Sequence, residues 1–198
     1  PQYCAATTAT ANDMAFAALA QMRWQPALRT LPPYHDDPAY IEALKLSIEA
    51  SLAKLGWEPD ALIASFHGMP LRTLDLGDPY YRHCLETGRL LSEALGRDLT
   101  VSFQSRFGPA KWLGPATDTV LAGLPAEGVE RVAIFAPGFS ADCVETLEEL
   151  AIRGRETFLE SGGADFAYLP CLNASAEGVA MLQAVLAREL AGWVAASD

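Results

Sequence analysis

Ala61-Leu62-Ile63-Ala64-Ser65-Phe66-His67-Gly68-Met69-Pro70 is the stretch on which the fold turns. An apolar run over 61–66 is too short for an ordinary helix, and the Gly and Pro behind it force a turn, so it reads as a buried strand. Outward from it, similar runs predict strands near 27–31 (ALRTL), 99–104 (LTVSFQ), 131–136 (RVAIFA) and 166–169 (FAYL). Stretches of helical period lie between them, near 12–22, 39–55, 79–95, 117–123, 143–160 and 176–196. Asp13, Asp37-Pro38, Asp78-Pro79, Pro115-Ala116-Thr117 and Asn173-Ala174-Ser175 offer the caps or prolines that open helices. The alternation predicts an α/β fold, a Rossmann-like doubly wound parallel sheet of four to five strands flanked by helices on both faces. Ligands of such sheets bind outside the carboxyl ends of the strands.

The chain has 198 residues, of which 51% are hydrophobic and 20% charged, enough apolar material for one core without disulfides. A formal charge of -11 argues against nucleic acid and anionic membranes as principal partners, because both need a basic surface. No apolar run approaches the ~20 residues of a membrane span. Cys4, Cys84, Cys143 and Cys171 are scattered without a CxxC pair, the usage expected of a reducing cytoplasm. The sequence opens on Pro1 without Met or a signal segment, which reads as a processing site or a piece of a larger product. There is no GxGxxG or Walker A motif.

Three post-strand segments combine turn residues with ionisable groups. His67 directly follows a strand, where an imidazole can serve as base or as metal ligand, or merely bond a neighbouring loop. Asp142, Glu145 and Glu149 fall at spacings of three and four, along one face of a helix, with Glu148 off that line. A row of carboxylates repels itself unless a cation or a shared proton relieves it, so a divalent metal or a proton relay is expected. Cys143 at a helix start is the place for a stabilised thiolate, which leaves a Cys143-His67 hydrolase as a rival. Within the long loop 104–118, Phe107 and Trp112 offer flat faces, and Arg106 and Lys111 could meet carboxylates of an aromatic ligand. Of the remaining histidines, His83 reads as solvated and His35 stays open.

Three motifs resemble those of the ferrochelatases: Ser65-Phe66-His67-Gly68-Met69-Pro70 with Gly77-Asp78-Pro79-Tyr80, Phe103 to Pro109 running into Trp112-Leu113-Gly114-Pro115, and Pro137 to Leu150. The likeness runs from Tyr3 to about Leu190 and implies insertion of ferrous iron into protoporphyrin IX, with release of two protons. It implies His67 and Glu145 as catalytic residues facing one another across the porphyrin. His67, Glu145, Asp142 and Glu149 are then the metal-handling set, the acidic row lying on a helix that often contains a π-turn. Trp112, Arg106 and Met69 become expected substrate contacts. Iron is substrate on this reading; no prosthetic group is implied, and the chain lacks the cysteine-rich tail that would hold a [2Fe–2S] cluster. The resemblance further implies that residues 1–24 connect to an absent amino-terminal half and that 25–198 form a carboxyl-terminal chelatase-like domain. Partners are then protoporphyrin, Fe²⁺ and that other half; a peripheral membrane contact and the oligomeric state stay open. A non-catalytic tetrapyrrole- or metal-binding module is the other alternative.

Overall fold

The structure, a computed structural model, describes residues 1–193. Its sheet consists of β1 (Ala61–His67), β2 (Leu99–Gln104), β3 (Arg131–Phe135) and β4 (Asp165–Tyr168), ordered β2-β1-β3-β4 and parallel throughout. Helices α1 (Thr10–Ala20), α2 (Pro38–Leu52), α3 (Leu71–Asp75), α4 (Tyr80–Leu95), α5 (Thr117–Gly123), α6 (Arg155–Glu160) and α7 (Ala176–Glu189) complete it, with a π-helix at Glu145–Gly154 running into α6. After β2 the chain returns to the far side of β1, so the direction of winding reverses between β1 and β3, the place where such sheets open a crevice.

Side-chain alternation along the strands divides the core in two. Leu62, Ala64 and Phe66 face the layer of α2, α4 and α7, while Ile63, Val132 and Ile134 face α5, the π-helix and α6. Both faces are covered, which is why β1 is apolar almost throughout and buried from Leu62 to Phe66. Asp37 accepts a hydrogen bond from the Ala39 amide at 2.8 Å with Pro38 behind it, and Ser175 accepts from Gly178 at 3.1 Å. Both are the expected starts of α2 and α7.

Four expectations need correction. Residues 27–31 form no strand: Leu28 and Leu31 are 47% and 36% exposed, and an apolar run without a neighbouring strand has no ladder to join. Asp13 lies inside α1 rather than at its start, because a π-turn at Ala5–Ala9 begins the helix earlier. The last helix stops at Glu189 instead of 196, and 194–196 lie outside the described residues. His83 is not solvated; its ring stacks on that of His35 at 3.6 Å and its Nδ1 accepts the Tyr3 amide at 3.2 Å. Burial lowers the pKa of both imidazoles, and the neighbouring His35 lowers that of His83 further.

Candidate active site

A cleft of about 740 Å³ opens at the carboxyl edge of the sheet, between the ends of β1 and β2, the loop behind β2 and the π-helix. His67 reaches it as the last residue of β1. Its Nδ1 lies 2.7 Å from the Gly68 carbonyl, which can only accept, so Nδ1 carries a hydrogen and Nε2 is the ring nitrogen left for a ligand. Behind the ring, Tyr80 donates to the His67 carbonyl at 3.0 Å, and Phe139 packs with ring centroids 6.5 Å apart. Gly68 is required here: its amide donates to the Gln104 carbonyl at 2.7 Å, and a Cβ would sit 2.5 Å from that same oxygen.

Glu145 opens the π-helix and lines the cleft with His67. The neighbouring Cys143 thiol, then the helix amide and His67, hold its carboxyl below the usual range. The same pairing, added to burial, pushes the Cys143 thiol up, opposite to the thiolate that a hydrolase would need. Cys143 does not line the cleft.

Glu149 also faces the cleft, with both oxygens occupied by Ser105: Oε1 accepts from the amide at 2.6 Å and Oε2 from the hydroxyl at 2.5 Å. Asp142 is turned away. Its carboxylate accepts from Tyr168 Oη at 2.6 Å, Asn173 Nδ2 at 2.7 Å, Thr146 Oγ1 at 3.2 Å and the Cys171 amide at 3.3 Å. Burial alone would raise its pKa; these donors outweigh that and lower it. The single carboxylate stripe is therefore not formed. Asp142 precedes the helix, whereas Glu148, expected off the line, joins the cleft wall together with Arg153, its ion-pair partner five residues on. That separation is the i→i+5 repeat of a π-helix, which a reading based on 3.6 residues per turn cannot anticipate. Among the described residues, no three His, Cys, Asp or Glu side chains converge closely enough to hold a metal ion by themselves.

Of the expected substrate contacts, Trp112 lines the cleft, its Nε1 donating to the Phe107 carbonyl at 3.0 Å and its ring edge-on to Phe107. Arg106 lines it as well, already in a two-pronged bond to Asp118 at 2.7 and 2.8 Å. Met69 does not reach the cleft; it packs on the core beside Cys4, sulfur to sulfur 3.8 Å. The Gly77-Asp78-Pro79-Tyr80 motif proves to be a brace. Asp78 accepts from the Ala5 and Tyr80 amides at 2.8 and 2.9 Å, holding the start of the chain against α4, and Tyr80 supports His67. The sequence held no local sign of the parts played by Ser105, Glu148 and Arg153, since each depends on the π-helical register or on a contact between separate elements.

The ferrochelatase family model matches residues 1–190. Curated proteins named ferrochelatase are 58% identical in Rhizobium meliloti, 56% in Agrobacterium fabrum and 54% in Mesorhizobium japonicum, each over 98% of this chain. The chain covers 56–58% of their own length, so it spans little more than half of the relatives it matches. With the family match extending from the first residue through the cleft to α7, the chain belongs to the ferrochelatase family.

Proposed function

We propose that this chain supplies the acid–base face of a ferrochelatase, which inserts Fe²⁺ into protoporphyrin IX to form protohaem and releases two protons. The observation that carries the reading is the convergence of His67 and Glu145 on one cleft, with Nδ1 of His67 already committed and Nε2 free to accept. Insertion needs two pyrrole protons removed, the ring bent and the metal stripped of water. A neutral imidazole and an ionised carboxylate are suitable acceptors for the protons. Iron is the substrate, and the four pyrrole nitrogens hold it at the end, so the chain needs only passing oxygen and nitrogen contacts from His67, Glu145 and Glu149 rather than a closed cage. Asp142, with its lone pairs occupied, acts as a structural brace in this scheme.

The rest of the relatives' length supplies the opposing wall of the porphyrin site on this reading. Residues 1–24 connect to it and 25–198 form the carboxyl-terminal domain, working in the cytoplasm without a resident cofactor. Among the described residues, no helix is long and apolar enough to cross a membrane.

Anaerobic metallation of protoporphyrin by this chain, with Zn²⁺ as an iron surrogate and porphyrin absorbance as readout, tests the reading. Loss of the free-porphyrin bands that vanishes in His67→Ala is the expected result. If the chain binds porphyrin without turnover, the same comparison on a polypeptide of the relatives' full length decides, and inactivity there would leave a binding module.

A further inference from the structure

Ser105 has φ +64°, one of two non-glycine residues with positive φ among the described residues, and sits directly after β2 on the wall of the cleft. Left-handed backbone is unfavourable for serine and free for glycine, so a serine kept there points to work done by its hydroxyl. That hydroxyl and the Ser105 amide together grip both oxygens of Glu149. The preceding residue, Gln104, is 2% exposed; its Nε2 donates to the Glu145 carbonyl at 2.8 Å, while its Oε1 accepts from Ser65 Oγ at 2.9 Å. Ser65 is bonded in turn to Thr117 at 2.8 Å, and because the Glu145 carbonyl can only accept, the amide nitrogen of Gln104 is the end that faces the helix. Two consecutive residues thus hold the π-helix at its first residue and at the fourth after it.

We propose that Gln104 and Ser105 are positioning residues, a two-point clamp that keeps the wide turns of the π-helix in register against β2 and sets the Glu145 carboxylate opposite His67. The catalytic consequence rests on the insertion reaction proposed above; the clamp itself does not. A π-helix makes fewer hydrogen bonds of good geometry than an α-helix, so the ties at its start decide whether it holds. Glycine at 105 keeps the amide donor and relieves the backbone, and removes only the hydroxyl.

The test uses Ser105→Gly, Glu149→Gln and the double variant in this chain. Ser105→Gly is expected to melt at or above the parent temperature, while amide exchange over 145–154 accelerates about tenfold, the effect of one lost charge-assisted hydrogen bond. The carboxyl ¹³C signal of Glu145 broadens or moves with it. The double variant exchanges no faster than Glu149→Gln alone, because the two residues act through one contact. Where zinc insertion is measurable, kcat falls and the porphyrin KM stays at the parent value. Parental exchange over 145–154 in Ser105→Gly, additive effects in the double variant, an unmoved Glu145 signal, or an unchanged kcat in an active parent each overturns the proposal. With an inactive parent, the insertion reading is decided on the polypeptide of the relatives' full length, and exchange and the Glu145 signal in this chain decide the clamp.

Discussion

His67 and Glu145 reach the same cleft by different routes, and the difference governs how each responds to substitution. His67 ends a strand buried on both faces and is braced by the Gly68 carbonyl and by Tyr80, so its orientation is set before any ligand arrives. Glu145 is exposed and held through its backbone by Gln104. On the proposed reaction, Glu145→Gln removes a proton acceptor and little packing; zinc insertion should drop at least about 100-fold while porphyrin binding, followed by fluorescence quenching, is retained. Asp142 behaves differently. Its folded pKa lies below the ordinary value, so its contribution to stability is complete above the unfolded pKa of about 4 and is lost as the pH falls through the lower folded value. Asp142→Asn should be less stable near neutrality by about 1 kcal/mol, with the screening of a partly exposed carboxylate already allowed for, and should show a flatter acid limb below about pH 4. Thermal melts of both proteins from pH 7 to 2 check this; parallel curves would mean that the bonds to Tyr168 and Asn173 add nothing.

Among elements, the join between β1 and β2 decides the shape of the site. The Gly68 amide extends the ladder by one step past His67, bringing the post-strand loops close enough for Leu71 and Leu113 amides to bond Lys111 and Met69 carbonyls at 2.7 and 2.9 Å. Gly68→Ala puts a methyl carbon against the Gln104 carbonyl and must part the strand ends, at a cost of about 1–3 kcal/mol. A lowered melting temperature and faster amide exchange at 67–71 and 104–113 are expected; a parental melt would show that the strand ends yield without strain. The helix that carries Glu145 was expected to begin at 143 and the order of its carboxylates to follow an α-helical wheel. Its actual i→i+5 pattern places Glu148 and Arg153 in the wall instead.

At the scale of the molecule, large apolar residues stand exposed in two regions among the described residues. No residue of α1 is buried, and Met14, Phe16, Met22 and Trp24 are 69%, 50%, 47% and 92% exposed. Around the cleft, Phe107, Val144, Leu147 and Ile152 are likewise open. Exposed patches of this kind mark surfaces that associate. Light scattering on the isolated chain should register concentration-dependent self-association, weakened in a Phe16→Ser, Trp24→Ser double variant. A monomer over the same concentration range for the parent would show that net charge outweighs these patches.

Most of the fold was legible because β1, β2, β3 and β4 are short apolar runs closed by Gly or Pro, and a strand buried on both faces needs nothing else in its sequence. His67 was legible for the same reason, as the first ionisable side chain beyond such a run. The failed strand at 27–31 has the composition of a strand and lacks a partner, and pairing is a property of the tertiary structure alone. So is the register of the π-helix: its turns are held by Gln104 and Ser105, forty or more residues away in the chain. The sequence by itself determined the parallel sheet, its two apolar faces and the edge at which the cleft opens, because periodicity and burial are local. Only the tertiary structure decided that Asp142 braces a loop while Glu145 and Glu149 face His67's cleft, because identical carboxylates are told apart by the donors that surround them.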